Sequence, residues 1–235
     1  MVYAWKYESE TPLQCLQRLQ QSYQPFLDKK MSYAGRLDPM AYGVLPVLLG
    51  EENKNKENYL SVDKTYKASF LVGVTTDTCD VLGRHVAVKK NTLSKEELGT
   101  SRSSIKKVKK QTYPWFSSMT VDGIKLFDHF KAGNISIQRP ERSVSVKSIS
   151  EFTIKSMTTE DLLDTIVPKV KKLKGDFRQN EIIQDWRLLS KLGKEEWQVI
   201  SCVITVSTGT YIRALTELFP SPVVLFSLRR NSVEI

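Results

Sequence analysis

A single carboxylate, Asp38, stands between Arg36 and the short apolar run 44–49. Pro39 follows directly, which removes a backbone donor and disfavours helical geometry at Asp38, so we expect the carboxylate on a fixed loop. The apolar run is too short to span a membrane and too continuous for a surface strand, so it predicts a buried element behind the loop. This placement suits catalysis, although an aspartate before a proline is also a common turn or cap residue.

The segment around Asp38 resembles the catalytic motif of the TruB family of pseudouridine synthases; it reads Gly35-Arg36-Leu37-Asp38-Pro39-Met40-Ala41, then Gly43-Val44-Leu45-Pro46. Further blocks resemble other motifs of that family, in the same order: Lys64-Thr65-Tyr66, the Thr/Asp-rich segment 73–83, the stretch 111–123, Thr208-Gly209-Thr210-Tyr211-Ile212-Arg213-Ala214-Leu215, and Leu228-Arg229-Arg230. Because these blocks span nearly the whole chain, it is identified as a member of the family.

The resemblance implies that Asp38 is the catalyst, with Arg213 as its guanidinium partner and Tyr66 as the aromatic ring that stacks on the target base. A nearby guanidinium favours the charged carboxylate, and we expect it to fix the carboxylate bidentately in a buried ion pair. A base must be turned out of its RNA stack before it can react, and a stacking ring recovers roughly 1–3 kcal/mol of that cost. The substrate-binding residues predicted from the same motifs are Tyr33, Arg36, Lys64, Tyr211 and Leu228.

The chain departs from the family pattern at several positions. Tyr33 stands where a histidine is usual, Arg36 where a threonine is usual, and Thr208 where a lysine is usual; Tyr113 stands at a common proline position. The N-terminal motif is reduced as well. The chain ends within a few residues of Arg230, so we expect the C-terminal RNA-binding (PUA) domain of many family members to be absent.

Conversion of uridine to pseudouridine breaks the N-glycosidic bond, turns the uracil and rejoins it through carbon, without oxidation or energy input. A carboxylate therefore suffices, and no cofactor or metal is predicted. Attack on the sugar, attack on the base and proton removal all remain open for Asp38. Two alternatives also remain: a non-catalytic RNA-binding or chaperone protein, and a nucleoside or glycoside hydrolase. Hydrolysis needs a second carboxyl group, and turn or cap roles suit the nearby Asp77 and Asp80 better.

Composition favours an anionic partner. Thirty-five lysines and arginines against 26 acidic residues give a net charge of +9. RNA fits this charge. The family resemblance implies that the RNA substrate is the T-arm of tRNA. The three cysteines have no paired spacing, so we expect reduced thiols in a cytoplasmic protein, without a disulfide or zinc site. No segment suits a signal peptide or a membrane span, and we expect a monomer with no membrane partner.

The order of the predicted strands and helices indicates an α+β protein with a mostly antiparallel or mixed sheet. The resemblance implies, more specifically, a mixed, mostly antiparallel sheet flanked by helices. Residues 1–235 are expected to form one catalytic domain with an insertion at about 155–195, and the resemblance adds a catalytic cleft. A capping box at Ser94 and Glu97 predicts a short helix, followed by a mobile polar connection up to residue 110. His129 is expected at the surface or in a cap. Helices are predicted at 12–23, 124–132, 160–173 and 181–192, and strands at 64–74, 84–89, 143–154 and 197–207.

Overall fold

Hairpin-linked strands and short helices follow one another in the computed structural model, which describes residues 1–193 and 195–233. The strands in this part are β1 (Val2–Lys6), β2 (Met31–Tyr33), β3 (Ala41–Leu49), β4 (Lys64–Val72), β5 (Val74–Thr76), β6 (His85–Val88), β7 (Lys110–Thr112), β8 (Thr120–Val121), β9 (Ile124–Lys125), β10 (Glu141–Ser143), β11 (Val146–Thr158), β12 (Glu196–Val206) and β13 (Val223–Val233). The α-helices are α1 (Pro12–Ser22), α2 (Lys56–Leu60), α3 (Lys95–Lys107), α4 (Leu126–Lys131), α5 (Thr159–Lys171) and α6 (Gln179–Leu188). Short 3-10 segments include Leu189–Leu192 and Arg213–Leu218.

The central sheet brings the two ends of the chain together. Its strands lie in the order β1-β3-β13-β4-β12-β11, with β2 added beside β3. β13 runs parallel to β3, with Leu228 opposite Ala41, whereas β13 pairs antiparallel with β4. The other neighbours in the sheet are antiparallel. The predicted α+β class with a mixed, mostly antiparallel sheet is therefore confirmed.

Alternation along the strands separates a packed face from a polar face. On β4, Tyr66, Ala68 and Phe70 are buried in the main core. The residues between them face the other way, where Thr65 and Ser69 form hydroxyl–hydroxyl hydrogen bonds of 2.8 Å with partners on β12. The buried face is the one that supports the site.

The helix signals of the sequence were correct at the N-terminal ends. Thr11 caps α1 and Ser94 caps α3, each in a capping box with the residue three positions later. The mobile connection predicted after Ser94 was wrong, because α3 continues to Lys107 and buries Leu98, Ser101 and Ile105. Lysines and serines occupy its outer face, so composition concealed the apolar stripe that packs it.

Residues 159–192 contain α5, α6 and the 3-10 segment after them, and they lie between two paired strands of the sheet. This segment falls in the range predicted to be an insertion and is called the insertion below. β11 and β12 stay in antiparallel register up to Thr158 and Glu196, so the sheet needs nothing between those residues. The insertion packs beside the β5–β6 turn, residues 77–84. There Trp186 on α6 is fully buried and donates from Nε1 to the Val81 carbonyl at 3.0 Å.

His129 was expected at the surface or in a cap, but it is buried, with Nε2 3.1 Å from the Val121 carbonyl and Nδ1 3.2 Å from the Asn134 amide.

Among residues 1–193 and 195–233, every helix is too short or too polar to cross a bilayer.

Candidate active site

Asp38 lies on the loop of residues 34–40, which joins β2 to β3 and is called the catalytic loop below after the predicted role of Asp38. The loop closes with a hydrogen bond of 2.9 Å from the Ala41 amide to the Asp38 carbonyl. Leu37 and Met40 on either side are buried, whereas the Asp38 side chain is 36% exposed. The apolar neighbours thus anchor the loop, and the carboxylate stays accessible.

Two buried cations hold the backbone of this loop. Arg230 donates from Nε to the Val44 carbonyl at 2.7 Å and from Nη1 and Nη2 to the carbonyls of Arg36 and Gly35 at 3.3 and 3.2 Å. Lys6, also fully buried, donates from Nζ to the carbonyl of Ala41, the first residue of β3. Burial lowers the pKa of Lys6 to about 8, against the opposing effect of nearby carboxylates.

A glycine lets Arg230 reach the loop. Gly43 has φ +114°, and a Cβ built there would lie 2.3 Å from the backbone oxygen of Arg230. Any other residue would push β3 and β13 apart at this point, because the clash is with backbone. The close pairing of these strands therefore depends on the glycine of the predicted motif.

Arg213 approaches Asp38 from the opposite side, at the start of the 3-10 segment that follows β12. Its guanidinium is buried and donates from Nε to Asp38 Oδ2 at 2.7 Å. Nη1 and Nη2 donate instead to the carbonyls of Thr78 and Phe116, at 3.0 and 2.6 Å. The predicted ion pair is present, but the expected bidentate geometry was wrong, since the other two arms of the guanidinium bind backbone.

A second carboxyl group, Asp80, lies beside this pair. Its side chain is buried, and Oδ1 accepts hydrogen bonds of 2.9 Å from the Thr78 hydroxyl and the Leu82 amide. Burial raises the pKa of Asp80 to about 6, although Arg213 acts in the opposite direction. For Arg213, burial lowers the pKa, but Asp38 and Asp80 outweigh burial and leave it above its ordinary value.

These groups share one cavity of about 350 Å³, called the Asp38 cavity below. Its size falls in the range of small-ligand sites, roughly 300–1,000 Å³. The walls come from the catalytic loop, the β5–β6 turn, α4 and the insertion: Asp38, Pro39, Thr78, Asp80, Leu82, Phe116, Phe127, Lys131, Asp176, Phe177, Arg178 and Arg213. Aromatic rings and charged groups therefore line a recess around one accessible carboxylate.

Comparison with protein families decides the relationship suggested by the motifs. Residues 24–177, about two thirds of the chain, match the family model of the TruB family pseudouridylate synthases, N-terminal domain. This chain belongs to the TruB family. The match contains the catalytic loop and the β5–β6 turn and ends one residue before Arg178.

Curated TruB relatives support the assignment over part of their length. The tRNA pseudouridine synthase B of Fusobacterium nucleatum is 35% identical over 127 residues, which is 54% of this chain and 44% of that protein. The Listeria innocua protein of the same name is 33% identical over 157 residues, 66% of this chain and 50% of that protein. The chain thus spans about half the length of the curated relatives it matches.

The fold is shared with a solved structure of a Cbf5-Nop10-Gar1 complex. The superposition has a TM-score of 0.54 at 14% sequence identity and covers 98% of this chain and 48% of the other. At that identity the likeness concerns the fold alone, and it confirms the predicted pseudouridine synthase fold.

The structure places two of the predicted pocket residues in different surroundings. Tyr211 lies next to the pair, with its ring centroid 5.4 Å from the Arg213 guanidinium carbon. Burial, with a further contribution from Asp38, raises the pKa of Tyr211. Leu228, by contrast, is a buried core residue on β13. Tyr211 is therefore the better placed to contact a ligand.

Tyr66 was predicted to stack on the target base. It is 6% exposed on β4 and packs in the main core, and it is not part of the Asp38 cavity wall. Its position on the buried face of the sheet is compatible with stacking only after the site opens toward β4. The stacking role stays a prediction.

The remaining predicted residues are Lys64, Tyr33 and Arg36, which lie in the catalytic loop or beside it. Lys64 is buried and donates to the carbonyls of Leu60 and Val62 at 3.2 and 2.7 Å, an arrangement that favours a structural role over RNA contact. Burial, with the nearby Arg230, lowers its pKa to about 8. Tyr33 is half-buried under the Lys56 ammonium, and Arg36 is exposed. Of these three residues, Arg36 and Tyr33 are accessible to a substrate and Lys64 is not.

Sequence reasoning missed most of the cavity wall, including two charged residues, Asp80 and Arg178. Asp80 was assigned a turn role, and it does accept the Leu82 amide, but its carboxyl also lines the cavity. Its neighbour Thr78 supplies one of the carbonyls that hold Arg213. The dense Thr/Asp pattern of residues 76–80 was the available signal. The other of the two, Arg178, comes from the insertion and carries no motif of its own.

Proposed function

We propose that this chain is an RNA pseudouridine synthase that isomerises a uridine in the T-arm of tRNA. The observation that carries the proposal is the accessible Asp38 carboxylate hydrogen-bonded at 2.7 Å to the buried Arg213 inside the Asp38 cavity. A carboxylate oriented by a buried cation stays charged, as each of the three catalytic routes requires. Membership of the TruB family supports the same reaction.

In this account the target uridine is turned out of the RNA stack and enters the Asp38 cavity. Asp38 then acts on the base or sugar while Arg213 fixes its direction. Lys131 and the ring of Phe127, both on α4, lie on the cavity wall where the flipped nucleotide would enter. Tyr66 takes the stacking role once the site is open. The proposed mechanism calls for no redox cofactor, because bond breaking and rejoining leave the oxidation state unchanged.

The RNA itself would be held by charge. Lys106, Lys107 and Lys109 are exposed at and beyond the C-terminal end of α3, and within residues 1–193 and 195–233 none of the three forms an ion pair with an acidic side chain. Lys110 lies beside them, 3.6 Å from Glu141. Such a cluster suits phosphate contacts, which also make binding salt-dependent. We propose a monomer that works in the cytoplasm, where the free thiols of the chain would stay reduced.

A carboxylate-dependent nucleoside hydrolase is the second candidate, and Asp80 favours it. Two carboxyl groups in one cavity, one of them with its pKa raised to about 6, are also the pattern of glycoside hydrolysis. Against this, Asp80 is buried and already hydrogen-bonded through Oδ1. The two reactions differ in product, since hydrolysis releases free uracil.

The proposal is tested by mapping pseudouridine in cellular RNA with and without this protein. We expect one T-arm position of tRNA to lose its pseudouridine when the chain is absent, and to regain it with the wild type but not with Asp38→Asn. An unchanged map would contradict the function. Loss at a position outside tRNA would keep the reaction and overturn the substrate.

A further inference from the structure

The insertion contributes to the active site, an inference that rests on the proposed function. Asp176, Phe177 and Arg178 precede or begin α6 and lie on the wall of the same cavity as Asp38 and Arg213. The strands on either side of the insertion are paired to their ends, so the sheet does not require these residues. Their contacts with the cavity therefore call for an explanation other than folding of the sheet.

Arg178 makes a two-pronged ion pair with the β5–β6 turn. Nη1 donates to Asp77 Oδ2 at 2.6 Å and Nη2 donates to Asp77 Oδ1 at 3.2 Å. The Asp77 side chain is only 9% exposed and also accepts the Arg84 amide at 2.9 Å. A bidentate pair on a nearly buried carboxylate is geometrically specific and stronger than an exposed surface pair.

The same guanidinium covers an aromatic ring. The central carbon of Arg178 lies 5.0 Å from the centroid of Phe116. Phe130 of α4 packs against that ring too, at a centroid distance of 5.0 Å. Phe116 is therefore confined between the insertion and α4, and a cation at this distance from a ring is attracted to its face.

Both contacts of Arg178 involve residues at or next to the backbone carbonyls that bind the Arg213 guanidinium. Arg213 binds the carbonyls of Thr78 and Phe116. Thr78 follows Asp77 directly, and Phe116 lies under Arg178. We propose that Arg178 is a positioning residue: it holds the two backbone carbonyls that orient Arg213, and thereby fixes the direction of Asp38.

The backbone at Arg178 supports this assignment. Arg178 has φ +60°, a left-handed conformation that is unfavourable for a non-glycine residue. Gly175, three residues earlier, shows that glycine is used nearby where φ is positive. Retention of an arginine in this conformation is explained if its side chain must reach Asp77 and Phe116 at once.

A second ion pair provides a natural control. Arg84 donates from Nε and Nη2 to Asp185 at 2.5 and 3.2 Å, so it also ties the β5–β6 turn to α6. It is not part of the cavity wall. Loss of Arg84 should loosen the insertion without releasing Phe116. The exposed Arg187 on α6 controls for loss of positive charge alone.

The first measurement is the single-turnover rate of pseudouridine formation at saturating protein, together with the Kd for a T-arm stem-loop. Arg178→Met should lower the rate roughly 10–100-fold, because a small misplacement of catalytic groups costs about that much, and should leave Kd within about twofold. Arg178→Lys should recover part of the rate, since it keeps the charge and one bond to Asp77. Arg84→Met and Arg187→Met should both keep rates within about twofold of wild type.

The second measurement needs no activity. In ¹⁵N spectra, the Nε–H signal of Arg213, assigned by its loss in Arg213→Lys, should be sharp and slow to exchange in the wild type and in Arg187→Met. It should broaden or exchange faster in Arg178→Met. If the wild type forms no pseudouridine, the proposed function fails and this signal alone decides the positioning role.

Three results would overturn the proposal. The first is an Arg213 signal unchanged by Arg178→Met, whatever the rate does. The second is an Arg178→Met rate equal to that of Arg187→Met. The third is a tenfold weaker Kd with an unchanged rate, which would make Arg178 an RNA contact instead.

Discussion

The catalytic loop and the β5–β6 turn each bring one carboxyl group to the Asp38 cavity, but they are held by different interactions. In the loop, Arg230 and Lys6 are fully buried and donate to backbone carbonyls. In the turn, arginines pair with carboxylates instead, Arg178 with Asp77 and Arg84 with Asp185. The loop is thus held by hydrogen bonds from cationic side chains to backbone carbonyls, and the turn by ion pairs between side chains.

The two carboxyl groups also differ in exposure. The Asp38 side chain is 36% exposed and accepts a hydrogen bond from the buried Arg213 guanidinium. Asp80 lies in the β5–β6 turn and is shielded from solvent, so burial dominates and raises its pKa to about 6. One carboxylate is therefore available for reaction, and the other is better suited to tuning Arg213.

The largest effect is expected when the accessible carboxylate, Asp38, is neutralised. Asp38→Asn keeps the shape of the side chain and removes its charge, so turnover should fall at least about a thousandfold while RNA binding and folding stay near wild type. The assay is tritium release from uridine-labelled tRNA. Asp164→Asn, on an exposed face of α5, is the matched control. Substantial turnover by Asp38→Asn would remove it as the catalyst.

The next largest effect is expected for Arg213, whose guanidinium binds Asp38 and two backbone carbonyls. Arg213→Lys should lower the rate about a hundredfold, since one ammonium cannot reach Asp38 and the carbonyls of Thr78 and Phe116 in the same planar arrangement. Single-turnover kinetics would measure it, with RNA affinity measured in parallel. A wild-type rate in this variant would show that orientation of the carboxylate by Arg213 is not needed.

The hydrogen bonds that Arg230 donates to backbone carbonyls are expected to matter for stability as well as for the rate. Arg230→Met leaves two loop carbonyls and the Val44 carbonyl of β3 without their charged donor, which should cost roughly 3 kcal/mol of unfolding free energy. Arg229→Met, one residue earlier and exposed, should change it by less than about 0.5 kcal/mol. Urea titrations of both variants would test the difference. Equal losses would mean that Arg230 does not hold the loop.

The smallest expected effect concerns Asp80 and pH. Because its pKa rises from the ordinary 3.8 to about 6 on folding, the native state holds an extra proton across that window, and stability from this group falls as pH rises through it. Asp80→Asn removes the change, so its stability relative to wild type should grow by at most about 3 kcal/mol between pH 4 and 7. Urea unfolding at several pH values would show this. Parallel curves would mean that Asp80 is not titrating there.

Local signals predicted much of the fold, and the family motifs predicted the central pair. The capping box at Ser94 and the alternation along β4 and β12 depend on nearby residues, so they could be recognised in the sequence. Asp38 and Arg213 were matched through motifs although 175 positions separate them. The contact itself was thus anticipated, but not its single hydrogen bond.

What could not be predicted depends on tertiary packing. Arg178 meets Asp77 only because α6 folds back onto the β5–β6 turn, 101 positions away in the sequence. Asp80 has the sequence of a turn residue, and only the packing around it shows that its carboxyl is buried beside Arg213. Lys64 lies in a family motif, but its burial under the loop was invisible to the pattern.

The most direct test of the account is to incubate the purified full chain with a T-arm stem-loop that carries [5-³H]uridine. If the chain is a pseudouridine synthase, we expect tritium release to water that matches the pseudouridine formed, with the RNA chain intact and no free uracil. Free uracil with an abasic RNA would show that the two carboxyl groups perform hydrolysis. Tight binding without tritium release would show that the Asp38–Arg213 pair serves an RNA-binding protein and not an isomerase.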